Sequence, residues 1–249
     1  MKFHLRRAVT ALFVVASGVS TLSHAASISG QGTWETTLQG RDLDGNLATA
    51  EAYYDTALDI TWLANATYAG RATVWATANS WAAGLNPYGS GITGWRLPTT
   101  IDADGPDADL LGNDGCSYTN FYQGVDCGYN ITTHSEMSHM FYVTLGNLAY
   151  YSTSGTAQPG WGLTNTGPLN VLDNFYWSAT EHAPDTRHAW GFDTYNGIQS
   201  LSNKANGFAA WAVHSGNVGA SVVPVPAAVW LFGSGLLGLV GMSGKRRRC

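Results

Sequence analysis

The sequence has 249 residues, of which 45% are hydrophobic and only 12% charged, so it does not have the low hydrophobicity and high charge of a disordered chain. Seven of its 12 basic residues lie close to the two ends, and the segment between them has five basic and 17 acidic residues, a formal charge of −12. Such a segment repels phosphate groups, which argues against nucleic acid as a partner.

The N-terminus has the pattern of a secretory signal peptide. Lys2, Arg6 and Arg7 precede a short apolar run over 8–19, and a small-x-small tripeptide, Ser-His-Ala, follows. An uncleaved anchor is the alternative, but the apolar run is too short to span a bilayer. The pattern predicts a signal peptide over 1–25, removal by signal peptidase and export through the inner membrane.

Strands and two helices are predicted in the first part of the mature chain. The runs 52–54 and 60–62 have the composition of short strands. Apolar residues at helical spacing predict a first helix over 73–85. A capping box that begins at Thr133 predicts a second helix over 135–148.

The last third of the chain is predicted to be rich in β-strands. Short apolar runs lie at 176–178, 188–192, 198–200 and 209–214, separated by Gly, Asn, Asp or Pro. The dipeptide Asn-Gly at 196–197 is a strong signal for a hairpin. Two helices followed by a β-rich end predict a single α+β domain.

Residues 100–130 form an acidic insertion that could hold a metal ion. Its carboxylates surround a glycine turn, and hard oxygen ligands of this type suit Ca²⁺. The candidate ligands are Asp102, Asp104, Asp107 and Asp109. A shorter version, Asp-x-Asp-Gly-Asn, occupies 42–46. The insertion lacks the closing Glu of an EF-hand, and a solvated acidic loop remains the alternative interpretation.

Two cysteines, Cys116 and Cys127, flank the same insertion. In an exported chain they are expected to form a disulfide. Closing this short loop would stabilise the fold by about 3 kcal/mol in the chain-entropy description. A catalytic or metal-binding cysteine pair is the alternative.

Nine tryptophans precede the C-terminal apolar run, and five at patterned positions are assigned to packing: Trp75, Trp81, Trp95, Trp177 and Trp211. Trp161 lies instead in a stretch rich in Gly, Pro and Thr, over 158–168. It is therefore the candidate contact to a ligand.

Enzyme motifs are weak in this sequence. His134 and His139 flank Glu136, but their spacing of five turns the second imidazole by roughly 140° from the first, whereas zinc hydrolases need a spacing of four. A Gly-x-Ser-x-Gly elbow is also absent from the sequence. We therefore expect no catalysis.

The C-terminus combines two prolines, an apolar run and a basic end. The uncharged run 227–242 would form a helix of about 24 Å, and its glycines are better tolerated in a membrane than in water. The cations at 245–248 would stay in the cytoplasm. The pattern predicts a C-terminal transmembrane helix.

This tail, 220–249, resembles the PEP-CTERM sorting signal of Gram-negative bacteria. The residues that carry the resemblance are Pro224, Val225, Pro226, Arg246, Arg247 and Arg248, with the apolar run between them. The family motif has Glu where this chain has Val225. The resemblance implies processing by an exosortase near the prolines after anchoring in the membrane. It also implies transfer to the envelope surface or release, and partnership with extracellular polysaccharide.

A second set of motifs resembles the Lcl C-terminal domain family. It includes Trp-Arg-Leu-Pro-Thr at 95–99 and Tyr-Trp-Ser at 176–178. The resemblance implies a C-type-lectin-like domain over 26–219, with two helices, short twisted antiparallel sheets and long loops. It also implies a non-catalytic adhesion or glycan-binding function. A secreted enzyme of the same fold is the alternative.

Overall fold

The computed structural model describes residues 27–101, 125–183 and 185–222, and two antiparallel sheets dominate these residues. The strands of the larger sheet are β1 (Leu38–Asp42), β2 (Ala52–Asp55), β3 (Ile60–Leu63), β4 (Trp95–Arg96), β9 (Val213–Ser215) and β10 (Ala220–Ser221). Those of the smaller sheet are β5 (Val125–Asp126), β6 (Phe175–Glu181), β7 (His188–Asp193) and β8 (Ile198–Asn203). The strand orders are β10-β1-β2-β3-β9-β4 and β5-β8-β7-β6.

Helices are short throughout the described residues. They are α1 (Trp34–Thr37), α2 (Trp75–Ala83) and α3 (Glu136–His139), with a 3₁₀ turn at Pro87–Gly89. A single π-helical turn, Met140–Thr144, continues α3 directly. The longest helix, α2, has nine residues, so the sheets and the loops between them build most of the fold.

The predicted α+β architecture of the lectin-like type is wrong, because the described residues are mostly sheet and loop with few helical turns. The first predicted helix exists as α2. The second, predicted to reach Leu148, ends after the π turn. Gly146 adopts φ +67°, which breaks the helix, and Leu148 pairs with Gly162 in a β-bridge. The buried apolar residues of this segment therefore pack against the core from a short helix and a turn, and not from one long helix.

The predicted capping box is also wrong. The N-cap of α3 is Ser135, whose hydroxyl accepts a hydrogen bond from the Ser138 amide at 3.3 Å. Glu136 does not reach back to Thr133, because its carboxylate pairs with Arg96 instead. The ion pair with Arg96 thus forms in place of the predicted capping box at Thr133.

The predicted C-terminal transmembrane helix has no support from the structure. Across the described ranges, every helix is too short or too polar to cross a membrane. The run 227–242 itself lies outside the described residues, together with the predicted signal peptide and most of the acidic insertion.

Aromatic side chains fill the core. Trp62 of β3 is fully buried, and its ring centroid lies 4.5 Å from that of Trp211. A second cluster surrounds Trp177 of β6, whose ring meets Phe208 at 5.0 Å. Burying such large side chains supplies much of the hydrophobic stabilisation, since the gain is proportional to the apolar area removed from water.

A two-pronged ion pair joins β4 to α3. Arg96 donates from Nη1 and Nη2 to the two carboxylate oxygens of Glu136, at 2.7 and 2.6 Å. The same carboxylate accepts the backbone amide of Thr99 at 2.7 Å. The side chains are only 30% and 15% exposed, so water screens the pair weakly.

We expect Glu136→Ala to lower the free energy of unfolding by about 2–3 kcal/mol, because it leaves a half-buried guanidinium and a backbone amide without their acceptor. Urea denaturation measures this change. Glu181→Ala is the matched control. Its carboxylate pairs with Lys204 and is 43% exposed, so we expect a loss below about 1 kcal/mol. Equal losses in the two variants would contradict the structural importance of the Arg96 pair.

Candidate functional site

A cavity of about 400 Å³ opens beside the turn that connects β7 to β8. We call it the aromatic pocket, because four of its lining residues are aromatic. Its lining consists of Cys127, Ala149, Tyr150, Tyr151, Trp161, Tyr195, Asn196 and Ile198. Its volume lies at the small end of the range for small-molecule sites, about 300–1,000 Å³.

Four separate segments line the pocket: 149–151, Trp161, 195–198 and Cys127. Backbone hydrogen bonds hold the first three together. The Tyr150 amide donates to the Asn196 carbonyl at 3.1 Å, which ties the first segment to the β7–β8 turn. The Gly162 amide donates to the Leu148 carbonyl at 2.9 Å. Gly162 has φ +88°, and a Cβ atom there would lie 3.0 Å from the Tyr195 carbonyl. Glycine at this position lets the neighbouring Trp161 approach the turn closely.

The aromatic rings stand nearly perpendicular to one another. Tyr150 meets Tyr151 at a centroid distance of 4.5 Å and an interplanar angle of 86°. Trp161 meets Tyr150 at 4.7 Å and 85°, and Tyr195 at 4.8 Å and 88°. Edge-to-face contacts are a favoured arrangement of aromatic pairs, so these rings fix one another's orientation. The walls of the pocket are therefore preorganised.

Trp161 and Tyr195 present their polar edges at the surface of the cluster. The indole N–H groups of Trp95, Trp177 and Trp211 donate to backbone carbonyls at 2.8–3.0 Å. Within the described part of the chain, the indole of Trp161 makes no such bond, and it is only half-buried. Tyr195 is 55% exposed. Trp161 and Tyr195 are thus less buried than the tryptophans of the core.

Asp193 ends β7 two residues before Tyr195, and it is not among the described residues that line the pocket. The Asp193 carboxylate accepts the backbone amide of Tyr195 at 2.9 Å, which shapes the β7–β8 turn. Burial raises the pKa of Asp193 and the negative charge of Asp173 adds to this effect, whereas the hydrogen bonds with the Tyr195 amide and the Asn196 side chain lower it. Burial also raises the pKa of Asp173.

A carboxylate cluster lies elsewhere, after β1. Oxygen atoms of Asp42, Asp44 and Glu51 all lie within 4.8 Å of one another, so they could hold a cation. Two backbone amides already donate to Asp42, and the Leu43 amide donates to Glu51 at 3.1 Å. This is the shorter acidic motif of the sequence. Glu51 joins it from outside that motif because β1 and β2 pair.

The predicted site residues have different outcomes. Trp161 lines the aromatic pocket, where it was expected to contact a ligand. Cys127 is buried and disulfide-bonded, while its partner lies outside the described residues, so the pairing with Cys116 stays a prediction. The other predicted residues also lie outside them, and their roles stay predictions: Asp102, Asp104, Asp107, Asp109, Pro224, Val225, Pro226, Arg246, Arg247 and Arg248.

Sequence reasoning missed the pocket tyrosines. Tyr150 and Tyr151 form a doublet, and Tyr195 directly precedes the Asn-Gly dipeptide of a turn. A large aromatic at a turn is a usable signal, since turns lie on the surface and a large apolar side chain there often serves binding.

Asp55 is the most deeply buried carboxyl group of the larger sheet, with no exposed surface. Its carboxylate accepts the Ala57 amide at 2.9 Å and the Thr144 hydroxyl at 3.2 Å. Burial raises its pKa above the ordinary value of 3.8, and these bonds and the nearby His139 offset part of that effect. Asp55 does not line the aromatic pocket, so it is a structural group.

The raised pKa of Asp55 predicts a pH effect. The folded state favours the neutral carboxyl, so this contribution to stability is present below pH 3.8 and is lost as the pH rises through the raised pKa. We therefore expect wild type to lose stability relative to Asp55→Asn between about pH 4 and pH 8. Urea denaturation of both proteins across this range measures the difference, and a constant difference would contradict the prediction.

No protein-family model, curated protein or solved structure matches the chain.

Proposed function

We propose that the chain is an exported, non-catalytic module of the cell envelope or extracellular matrix that binds a glycan in the aromatic pocket. The observation that carries this proposal is the preorganised set of half-exposed rings around a cavity of about 400 Å³. The pocket walls are apolar with a few polar edges, the usual composition of small-molecule sites.

The chemistry of a sugar ring matches this pocket. A pyranose has apolar C–H faces that pack on aromatic rings and hydroxyl groups around its rim that need hydrogen-bond partners. The rings of Trp161 and Tyr195 supply the first, and the Trp161 indole N–H with the phenol hydroxyls of Tyr150 and Tyr195 supply the second. Binding at one site should be weak, because a few such contacts only modestly exceed the entropic cost of association.

Sequence features support the exported location. The basic and apolar N-terminus favours export, and the Pro-x-Pro motif with the terminal arginines favours recognition by an exosortase. A disulfide at Cys127 is consistent with an oxidising compartment. The two terminal signals are separate in sequence from the residues that line the pocket, so location and binding can be tested separately.

Replacing Arg246, Arg247 and Arg248 together by alanine should block processing of the tail, because the sorting signal loses its basic end. We expect the unprocessed form to accumulate several-fold, seen as a larger band after cell fractionation and immunoblotting. Arg187→Ala, an exposed arginine inside the domain, is the control and should be processed normally. Normal processing of the triple variant would contradict recognition of this tail.

A panel of immobilised polysaccharides tests the binding function. We expect the purified protein to be retained on at least one of them and to release no soluble sugar. Release of product would favour the alternative, a secreted enzyme. A protein that is retained on none of the panel would instead favour a structural or protein-binding role.

A further inference from the structure

We infer that the aromatic pocket selects an uncharged sugar unit over an anionic one such as a uronate. This inference rests on the proposed glycan-binding function and names the ligand class of the same site. It follows from the positions of the basic and acidic side chains relative to the pocket.

The described basic side chains all lie away from the pocket. Four are bound elsewhere: Arg41 to Asn217, Arg96 to Glu136, Arg187 to Asp185 and Lys204 to Glu181. The fifth, Arg71, lines a different cavity of about 280 Å³. Proteins recognise carboxylates with arginine or lysine, because a charge-assisted hydrogen bond is needed to offset desolvation. Among its described residues, the aromatic pocket has no such group.

Acidic groups lie at the end of β7 and throughout the central segment of the chain instead. Asp193 is fixed beside Tyr195 by the hydrogen bond to its amide, and Asp173 acts on Asp193 electrostatically. The central segment of the chain has 17 acidic residues against five basic ones. The net negative charge of this segment therefore disfavours an anionic ligand.

The polar groups that remain suit neutral hydroxyls. The Trp161 indole can donate, and the phenol hydroxyls of Tyr150 and Tyr195 can donate or accept. A cavity of about 400 Å³ has room for one or two sugar rings but not for a long chain. The expected ligand is thus a neutral mono- or disaccharide unit, at the end of a glycan or as a side branch.

The test compares neutral oligosaccharides with oligouronates of the same length by calorimetric titration of the purified full chain. We expect neutral sugars to bind at least about tenfold more tightly, with little change between about 20 mM and 200 mM salt. Tyr195→Arg keeps a flat side chain at the rim and adds a cation, so it should raise the affinity for uronates relative to neutral sugars.

The possible results distinguish a failure of the inferred selectivity from a failure of the proposed glycan-binding function. Uronates could bind as tightly as neutral sugars or more tightly, and lose this binding in Trp161→Ala. That result would overturn the inferred selectivity but would still support glycan binding in the aromatic pocket. Binding of neither class would overturn the proposed function itself. A Tyr195→Arg variant with unchanged selectivity would show that charge at this rim does not set the preference, and would also contradict the inference.

Discussion

Trp161→Ala should weaken glycan binding at least about tenfold while leaving the fold intact. The indole contacts both Tyr150 and Tyr195, so its removal deletes one wall and frees the other two rings to move. Large aromatic side chains at the centre of a site often contribute 2 kcal/mol or more, which corresponds to about 30-fold in affinity. Titration of the variant with a sugar that wild type binds measures the loss.

Two controls make this result specific. Trp161→Phe keeps a flat ring and should retain part of the affinity. Tyr88→Ala removes another exposed aromatic, which contacts Tyr68 away from the pocket, and should bind as wild type does. A Trp161→Ala protein with unchanged affinity would show that the glycan binds elsewhere.

Trp177→Ala should lower the free energy of unfolding by about 3–5 kcal/mol. The side chain is fully buried between Phe175 and Phe208, and its indole donates to the Thr73 carbonyl at 2.9 Å. The substitution leaves a large cavity and an unpaired carbonyl. Since whole domains are stable by only about 5–15 kcal/mol, the melting temperature should fall by roughly 10 °C.

The matched control for this variant is Trp161→Ala, which removes an indole of the same size from a half-exposed position. Its loss of stability should stay near 1 kcal/mol. Thermal unfolding followed by circular dichroism compares the two directly. A Trp177→Ala variant as stable as Trp161→Ala would contradict the assignment of one tryptophan to the core and the other to the site.

Local patterns predicted the elements that depend on neighbouring residues. The strands β2 and β3 form where the aromatic and β-branched runs indicated, and the Asn-Gly dipeptide at 196–197 lies in the β7–β8 hairpin turn. Trp95, Trp177 and Trp211 are buried as predicted. In each case the signal is short-range, because turn chemistry and alternation act over a few residues.

The overall architecture depends on tertiary contacts that compete with local structural preferences, and the sequence alone does not reveal these contacts. The apolar spacing after Ser135 fits a long helix, yet Gly146 and the pairing of Leu148 with Gly162 end it early. Glu136, placed correctly for a cap, is taken by Arg96, which lies 40 residues away. Tertiary contacts of this kind override local propensity, which explains why the expected fold class was wrong.

The pocket could be predicted only in part, for the same reason. Trp161 was identified from its polar, glycine-rich surroundings. Tyr150 and Tyr195 are 45 residues apart, and tertiary contacts bring them together: the Tyr150 amide bonds to the turn at Asn196, and the Trp161 ring contacts both tyrosines. A site assembled from four segments has no sequence spacing that reveals it.

The central claim is that a glycan occupies the aromatic pocket, and nuclear magnetic resonance tests it most directly. The indole N–H signals of ¹⁵N-labelled protein are followed while a sugar identified by the retention panel is added, and Trp161→Phe assigns the pocket signal. We predict that the Trp161 signal moves progressively with sugar, while the signal of Trp81, outside the pocket, stays in place. A sugar that shifts other tryptophan signals but leaves that of Trp161 unmoved would contradict the claim.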